Sequence, residues 1–271
     1  MEWNVDPVFF SLGAFEVRYY SLLFVVAFLG GYHIMKYIIR REGLAIETLD
    51  KLFVYVAVGT IIGARLGHCI FYDWAYYSKN IAEIFLPFHN GKFIGYAGLA
   101  SHGAAIGIMI FMYIFDKKYT KKGLVWVLDR LVIPTMFGGF CIRCGNLMNS
   151  EIVGAVTDVP WAFHFARVDG ESMVMRHPAQ LYEAFCYLLI FAFLMFMYWK
   201  RDAGKRKGLI LGTFFLLVFL ARFIIEFVKE VQEPWEQGMI INMGQILSIP
   251  FILVGIWLIW NSFRSASAVK K

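Results

Sequence analysis

One short stretch of the chain, FCIRCGNLMNSEIVG, places polar side chains at the end of a long apolar run. Its Arg143 carries a planar guanidinium that can donate parallel hydrogen bonds to two oxygens of a phosphate, and Asn146 and Asn149 add neutral donors. Glu151 can either hold Arg143 in place or orient a substrate. If a helix continues through the stretch, Arg143 and Asn146 share a face. The alternative interpretation is a polar helix end whose side chains only cap the helix.

Two further arginines lie inside apolar runs, where a charged side chain costs at least ~2.5 kcal/mol to place at the centre of a bilayer. Arg65, in GARLGH, stands among glycines that recur every four residues and permit close helix packing. It either pairs within the protein or lies beside an anionic head group. Arg222 precedes Glu226 by four residues in RFIIEFVKE, so the two can pair on one helix face, or Arg222 can bind phosphate in a cavity.

A histidine supplies the candidate base. His102 begins an apolar run in SHGAAIG, and imidazole, with an unperturbed pKa of ~6.5, suits proton transfer near neutral pH. The alternative is a hydrogen-bonded structural histidine at the membrane edge. The segment RHPAQLYEA places Glu183 inside another apolar run, and we interpret that cluster as mainly architectural. The CxxC of Cys141 and Cys144 has no second ligand pair at metal-site spacing, so we expect neither a metal nor a cofactor.

These residues must be positioned by membrane-spanning elements, because the composition is that of a membrane protein. Of the 271 residues, 59% are hydrophobic and 17% are charged, whereas soluble domains are about 45–50% apolar and about 25% charged. The formal net charge of +6 comes from short basic clusters between apolar runs, so we expect no nucleic-acid partner. No polar block is long enough to form a soluble domain, which predicts a single integral membrane domain over residues 1–271.

Seven apolar runs are long enough to cross ~30 Å of hydrocarbon as helices. They cover residues 17–35, 52–72, 98–115, 124–142, 179–199, 209–228 and 240–260. The first lacks a basic start and a small-residue cleavage site, so we expect it to remain as a span. The aromatic and Gly-rich segment 86–107 indicates a bent or re-entrant entry to the third span. The predicted fold is therefore an all-α polytopic membrane protein with about seven transmembrane helices.

The loops between these runs carry an uneven basic charge, which predicts the orientation. One alternating set of loops holds sixteen Lys and Arg residues, and the other set holds seven. Because cytoplasmic loops carry the excess of Lys and Arg, the first set is predicted to be cytoplasmic, with the N-terminus outside and the C-terminus in the cytoplasm. The largest extracytoplasmic loop then covers residues 143–178, between the fourth and fifth spans.

The motifs, taken together, resemble those of one family. IIGARLGHCIFYD, SHGAAIG, IRCGNLMNSEIVG, RHPAQLYEA and RFIIEFVKE occur in this order, with VRYYSLLF at the first span and NMGQILSIP at the last. This order is similar to that of the bacterial phosphatidylglycerol–prolipoprotein diacylglyceryl transferases, from about Val17 to Pro250. The resemblance implies transfer of a diacylglyceryl group from phosphatidylglycerol to the lipobox cysteine thiol of a prolipoprotein, with release of a glycerol phosphate. It also implies a multi-pass enzyme of the bacterial cytoplasmic (inner) membrane, whose partners are phosphatidylglycerol, membrane lipids and prolipoprotein signal peptides.

Resemblance and residue chemistry together give a candidate site that faces the extracytoplasmic leaflet. The candidate catalytic residues are His102, Arg143, Arg222 and Glu151, and the candidate phosphatidylglycerol-binding residues are Arg143, Asn146, Arg65, Tyr20, Gly154 and Glu226. Asp129 matches an acidic residue that the family has early in the fourth span. The chain departs from the family pattern at Lys229, where Arg is common, and at Val218, where Tyr is common, so neither position inherits a role.

The implied chemistry is displacement at a glycerol carbon by a thiolate, with a phosphate ester as the leaving group. It needs a base for the thiol, cationic donors for the growing phosphate charge and a dry site. We expect His102 to be the base, with Glu151 as the rival, and Arg143 and Arg222 to bind the phosphate. The competing class is a transporter or channel for an anionic solute, in which the same arginines line a path and polar groups lie at both leaflets.

Overall fold

The computed structural model describes residues 1–13, 15–86, 88–89, 92–93, 98–230, 236, 238–239 and 241–268. The chain divides into two compact units: the larger unit comprises Met1–Met35 with Asp129–Lys271, and the smaller unit comprises Lys36–Leu128. Both units are built mainly from helices, as the hydropathy pattern predicts. The predicted bent entry to the third span includes residues 87, 90, 91 and 94–97, which lie outside the described residues.

Long helices make up most of both units. They are α1 (Tyr19–Arg41), α2 (Ile46–Phe71), α5 (Ser101–Phe115), α6 (Leu124–Met148), α8 (Ala179–Lys200), α9 (Leu209–Ile225) and α10 (Met243–Ala268), with short helices α3 (Trp74–Tyr77), α4 (Ala82–Phe85) and α7 (Ala166–Asp169). A π-helical turn, Asp116–Thr120, follows α5, and a 3-10 turn, Glu226–Val228, follows α9. Short strands pair as β1 (Glu2–Trp3) with β6 (His164–Phe165), β2 (Val8–Leu12) with β3 (Phe15–Arg18), and β4 (Phe88–His89) with β5 (Lys92–Phe93); only the first pair is parallel.

Six helices in the described part of the chain are long and apolar enough to cross a membrane, namely α1, α2, α6, α8, α9 with its 3-10 turn, and α10. The third predicted span, 98–115, corresponds to α5, whose 15 residues extend roughly 22 Å at ~1.5 Å per residue. That length is less than the ~30 Å hydrocarbon core, although the π-helical turn continues the helix to Thr120. The structure therefore supports a polytopic membrane protein, and the count of seven spans stays a prediction.

The smaller unit contains a glycine-lined contact between α2 and α5. A side-chain carbon on Gly63 would lie 2.8 Å from the Cα of Gly107, and one on Gly67 would lie 2.5 Å from the Cα of Gly103. Only glycine allows the two backbones to approach this closely. The close helix packing predicted from the glycine spacing in GARLGH is thus confirmed, and it fixes the start of α5 against α2.

In the larger unit, a buried carboxylate ties the beginning of α6 to the beginning of α9. Asp129 is fully buried, and its oxygens accept hydrogen bonds from the backbone N–H groups of Gly208 at 2.7 Å and Leu211 at 2.8 Å. The N–H groups at the start of a helix have no partner within that helix, so Asp129 serves as the cap of α9. Arg130 donates to the carbonyl oxygen of Gly204 at 2.7 Å. The acidic residue of the fourth span therefore has a packing role in this structure.

Candidate active site

The polar stretch at the end of α6 is helical up to Met148. Arg143 and Asn146 therefore lie on the helix, and the loop begins after Met148 rather than at 143 as predicted. The helix continues because its backbone hydrogen bonds do not depend on the polarity of the side chains. As the spacing predicts, the two residues share a face, and Arg143 Nη1 donates to Asn146 Oδ1 at 3.1 Å.

The carboxylate partner of Arg143 is Glu183, in the second turn of α8, and not Glu151. Glu183 is fully buried; its Oε2 lies 2.5 Å from Arg143 Nε, and its Oε1 lies 2.8 Å from Lys229 Nζ. One carboxylate thus joins a cation on α6 to a cation that follows α9. The buried carboxylate is compensated for its loss of water by these two cations. Lys229 is itself buried and also lies 3.3 Å from Glu226.

Glu151 follows α6 and accepts hydrogen bonds from both asparagines of the stretch. Asn146 Nδ2 donates to one carboxylate oxygen and Asn149 Nδ2 to the other, each at 3.0 Å. Gln180, which is buried on α8, donates to the backbone carbonyl oxygen of Glu151 at 2.5 Å. Glu151 is therefore linked to Arg143 through Asn146 rather than by a direct ion pair.

The pairing of Arg222 with Glu226, one of the two alternatives given by their spacing, is not formed. The α-helix α9 ends one residue before Glu226, whose carboxylate lies 3.3 Å from Lys229 instead. Arg222 Nε is buried and has no hydrogen-bond acceptor among the residues that the structure describes. Tyr187, on α8, accepts a hydrogen bond from Arg143 and lies within electrostatic reach of Arg222 as well, so the two guanidinium groups belong to the same region of the larger unit.

The NMGQILSIP motif shapes the surroundings of Glu226. Asn242 and Gln245 form a capping box at the start of α10, in which the backbone N–H of each donates to the side-chain oxygen of the other, at 3.1 and 3.0 Å. Gln245 Nε2 also donates to the carbonyl oxygen of Phe223 on α9 at 3.2 Å. Gly244 lies against Glu226, because a side-chain carbon on this glycine would be 2.6 Å from the carboxyl carbon. The motif therefore holds α10 close to the end of α9.

Two further candidates, Gly154 and Tyr20, lie in close contacts of the larger unit. A side-chain carbon on Gly154 would lie 2.5 Å from the Cβ of His177 and 2.7 Å from the carbonyl oxygen of Val228. Its backbone N–H donates to the carbonyl oxygen of His177 at 2.9 Å. The ring of Tyr20, in the first turn of α1, packs on Gly145 of α6, where a side-chain carbon would be 2.7 Å from the ring. Both glycines are positions at which a larger residue would force the neighbours apart.

An ion-pair cluster and a small apolar core hold the segment between α6 and α8. Arg176 donates to each carboxylate oxygen of Asp169 at 2.8 Å and lies 3.0 Å from Glu230. The hydrogen bonds from Arg176 lower the pKa of Asp169 below its ordinary value, and the same bonds raise the pKa of Arg176. The apolar core consists of Leu147, Val153, Phe163 and Phe165, with Trp3 and Leu181 packed against it.

In the smaller unit, His102 lies in the first turn of α5 beside a cavity of about 450 Å³. The cavity is also lined by His68, Tyr72, Ser101 and residues 98–100. The ring of His68 stacks on that of Tyr72, with their centroids 6.1 Å apart. His68 was not predicted as a site residue, although it is the last residue of GARLGH. Two imidazoles from different helices therefore line one cavity.

Arg65, also in the smaller unit, donates hydrogen bonds within the protein. Its Nε donates to the carbonyl oxygen of Ile84 at 3.1 Å, and its Nη2 donates to that of Glu83 at 2.6 Å. Its guanidinium lies over the ring of Tyr77, 4.9 Å from the centroid. Both carbonyls belong to α4, so Arg65 satisfies free acceptors at the end of a short helix. Contact between Arg65 and a lipid head group stays a prediction.

The chain also resembles known proteins over nearly its whole length. A family model described as Prolipoprotein diacylglyceryl transferase matches residues 7–261. The chain belongs to this family. A phosphatidylglycerol–prolipoprotein diacylglyceryl transferase from Porphyromonas gingivalis is 48% identical over 275 residues, which cover 97% of this chain and 95% of that protein. Proteins of the same name from Chloroherpeton thalassium and Tolumonas auensis are 45% and 43% identical, over 268 and 262 residues, covering 99% and 97% of this chain and 96% and 97% of those proteins.

Membership of the prolipoprotein diacylglyceryl transferase family does not favour the alternative of a transporter or channel for an anionic solute. We call the connected group of Arg143, Asn146, Glu151, Gln180, Glu183, Glu226 and Lys229 the charged network. Three of its buried residues were not predicted as site residues: Glu183, Gln180 and Lys229. The available indication for Glu183 was its position inside an apolar run, because a carboxylate there needs a partner. The identity of that partner depends on how α6 packs against α8, which the local spacing does not give.

Proposed function

We propose that this chain transfers the diacylglyceryl group of phosphatidylglycerol to the cysteine thiol of a prolipoprotein lipobox, the first step of bacterial lipoprotein maturation. A base takes the thiol proton, the sulfur forms a bond to the glyceryl carbon next to the phosphate, and the bond from that carbon to the phosphate oxygen breaks. The products are a thioether and a glycerol phosphate, which carries one more negative charge than the phosphodiester. The atoms and electrons balance without an oxidant or reductant, and we propose no cofactor.

The two guanidinium groups of the larger unit support this proposal most directly. Arg143 has its Nε and Nη1 engaged by Glu183 and Asn146, and neither contact uses Nη2. Arg222 Nε is buried without an acceptor in the described part of the chain. A buried N–H group needs an acceptor, and a phosphate oxygen is a suitable one. The hydrogen bonds would strengthen as charge grows on the leaving phosphate, so Arg143 and Arg222 are the proposed phosphate-binding pair.

We assign the removal of the thiol proton to His102. A free cysteine with a pKa of ~8.5 is only a few per cent thiolate at pH 7, so a neighbouring base increases the amount of nucleophile. His102 is exposed beside a cavity that has room for a side chain. Glu151, the rival, already accepts hydrogen bonds through both oxygens, which favours a role in orienting Arg143 by way of Asn146.

Five further residues complete the proposed phosphatidylglycerol site: Asn146, Arg65, Tyr20, Gly154 and Glu226. Asn146 joins Arg143 to Glu151, so it fixes the direction of both charged groups. Tyr20 and Gly154 act through close packing at the same end of the larger unit, and Glu226 acts through Lys229. Arg65 supports the segment that follows α2.

The proposed topology has seven spans in the bacterial inner membrane, with the N-terminus and the segment between α6 and α8 outside and the C-terminus in the cytoplasm. The excess of Lys and Arg in one set of loops supports it. A reporter fused within 200–207 or at the C-terminus should read cytoplasmic, and one within 155–172 should read extracytoplasmic. A cytoplasmic reading for 155–172 would place the site on the side away from exported prolipoproteins and contradict the proposal.

A reconstituted assay tests the reaction itself. Purified protein in phosphatidylglycerol vesicles is incubated with a lipobox peptide, and the peptide is analysed by mass spectrometry. We expect a gain of one diacylglyceryl group on the cysteine and release of glycerol phosphate. Peptide with Ser in place of the lipobox Cys, and vesicles of phosphatidylcholine alone, should give no product. An unmodified Cys peptide with folded protein and phosphatidylglycerol would contradict the proposed function.

A further inference from the structure

Glu183 is a fully buried carboxylate at the centre of the charged network. Both of its oxygens contact cations, Arg143 Nε at 2.5 Å and Lys229 Nζ at 2.8 Å. It therefore joins the last turns of α6, the first turns of α8 and the segment that follows the 3-10 turn.

Contacts from two helices fix the orientation of one planar group. The Arg143 guanidinium meets Glu183 through Nε and Asn146 through Nη1, and it also hydrogen-bonds to Tyr187 of α8, so its direction is determined by these three neighbours. Asn146 is held in turn by Glu151. Without the carboxylate of Glu183, the guanidinium would keep only neutral partners, the amide of Asn146 on its own helix and the hydroxyl of Tyr187 on α8, among the residues that the structure describes.

Helix packing alone does not account for a carboxylate at this position. Burying a charge is costly, and an apolar replacement for a buried ion pair often leaves stability unchanged or higher. Other contacts already join the same elements, since Gln180 donates to the carbonyl oxygen of Glu151 and Gly154 donates to that of His177. The carboxylate is therefore better suited to orienting charged groups than to holding the helices together.

We propose that Glu183 is a positioning residue for the transfer reaction: it holds the Arg143 guanidinium in the direction that presents it to the phosphate of the lipid. This inference rests on the proposed function of the chain. Lys229 contacts both Glu183 and Glu226, so it places a second cation beside Glu183 and helps to hold that carboxylate in place. The arrangement makes the orientation of Arg143 depend on α8.

Two substitutions at Glu183 test separately whether its negative charge and the position of its carboxylate are needed for transfer. Glu183→Asp keeps the charge and withdraws the carboxylate by one methylene group, whereas Glu183→Gln keeps the size and removes the charge. We expect each to lower kcat by about 10²-fold, the usual order for a small misplacement of a catalytic group. The KM for phosphatidylglycerol should change little, because the loss falls on charge that develops in the transition state. The thermal midpoint of Glu183→Asp should stay near that of the wild type.

Asp129→Asn is the matched control. Asp129 is an equally buried carboxylate of the same unit, but its hydrogen-bond donors are the backbone N–H groups of Gly208 and Leu211, one on each oxygen. Asn keeps one acceptor oxygen and loses the other, so this variant removes a buried carboxylate that contacts neither Arg143 nor Lys229, and it should lower stability rather than turnover. We expect its kcat to equal that of the wild type. An equal loss of kcat in Asp129→Asn would show that any buried carboxylate of the unit affects turnover and would overturn the specific role of Glu183.

A double-mutant cycle with Arg143→Lys tests whether Glu183 acts through Arg143. In the Arg143→Lys background, Glu183→Asp should have little further effect on kcat, whereas two independent roles would multiply their losses. Multiplied losses, or a Glu183→Asp enzyme with wild-type kcat, would overturn the inference. The wild-type assay distinguishes this failure from that of the proposed function, since a folded wild type that modifies no lipobox peptide would overturn both.

Discussion

The charged network of the larger unit and the histidine cavity of the smaller unit present their polar groups in opposite ways. In the network, Glu183 lies 2.5 Å from Arg143 and 2.8 Å from Lys229, and it is fully buried. At the cavity, His102 is exposed and His68 makes ring contacts. A group that stabilises developing charge must be held rigidly, whereas a group that takes a proton must be reached by its partner. The two regions fit these two tasks.

The contacts that hold the functional side chains in place also differ between the two regions. The start of α5 is placed by direct backbone contact with α2 through glycines. Arg143 is placed by side chains that come from α6 and α8. Substitutions should therefore affect stability first in the glycine contact and turnover first in the charged network.

The largest effect is expected at the cavity. His102→Gln keeps size and some hydrogen bonding but removes the basic nitrogen, so turnover should fall by about 10²–10⁴-fold, the usual range for loss of a general base. Raising the pH should partly restore turnover by supplying thiolate. The measurement is peptide modification as a function of pH. Near-normal turnover at pH 7 would remove His102 from the chemistry and direct attention to Glu151.

His68→Gln is the matched variant in the same cavity and tests whether one imidazole or both are needed. We expect a much smaller loss, without rescue at high pH, because the ring of His68 is engaged by Tyr72 and Tyr77. A pH-dependent loss as large as that of His102→Gln would assign the base to the pair or to His68 instead.

Arg143→Lys tests whether the charged network needs the planar guanidinium of Arg143 or only its positive charge. Lys keeps the charge but cannot contact Glu183 and Asn146 with one planar group, so we expect turnover to fall by about 10²-fold while the thermal midpoint changes little. Arg143→Ala should lose more. Turnover and thermal unfolding are measured together. A fully active Arg143→Lys enzyme would reduce Arg143 to a structural partner of Glu183.

The glycine contact should respond through stability. Gly63→Ala places a carbon 2.8 Å from the Cα of Gly107, so we expect a loss of about 1–3 kcal/mol, as for an overpacked interior. Gly138→Ala on α6 is the control, because no atom lies within 4 Å of an added carbon there, and it should leave stability unchanged or slightly higher. Equal stability of the two variants in denaturant titration would contradict the close α2–α5 contact.

The smallest expected effect is a loss of stability, at low pH, in the segment between α6 and α8. Arg176 lowers the pKa of Asp169 in the folded protein. The stabilisation of the segment between α6 and α8 is therefore fully present above the ordinary Asp pKa of ~3.9 and is lost as the pH falls through the lower folded value. The protection factor for hydrogen exchange of this segment, which corrects for the slower intrinsic exchange at low pH, should fall in acid in the wild type. In Asp169→Asn the protection factor should be lower already at neutral pH and should depend less on pH; an unchanged pH profile would contradict the role of this pair.

Hydropathy located the long helices well, because apolar runs of this length have few other uses. The predicted span 179–199 coincides with the helix Ala179–Lys200, and 124–142 lies within the helix Leu124–Met148, which continues through its polar end. The run 98–115 gave a helix of 15 residues, too short by itself to cross the hydrocarbon core. Side-chain polarity marks where the apolar environment ends and does not mark where a helix ends.

The partners of the charged residues were less predictable. The spacing of Arg222 and Glu226 allowed a pair as one of two alternatives, but α9 ends between them and Lys229 is the cation that meets Glu226. Glu151 was predicted either to hold Arg143 in place or to orient a substrate, yet the carboxylate that contacts Arg143 is Glu183 on another helix. Which residues form a buried ion pair depends on how the helices pack against each other, and a spacing rule for neighbours on one helix cannot predict it.

The capping of α9 by Asp129 has a consequence for biosynthesis. The donors to this carboxylate lie 79 and 82 residues further along the chain, at Gly208 and Leu211. Since the ribosome makes α6 well before α9, the newly inserted α6 carries a carboxylate whose donors have not yet been synthesised, and such a group is costly to leave in hydrocarbon. We therefore expect α6 to reach its final packing only after α9 has entered the membrane. A nascent chain stalled before Gly208 should be more sensitive to membrane proteases than one stalled after α9.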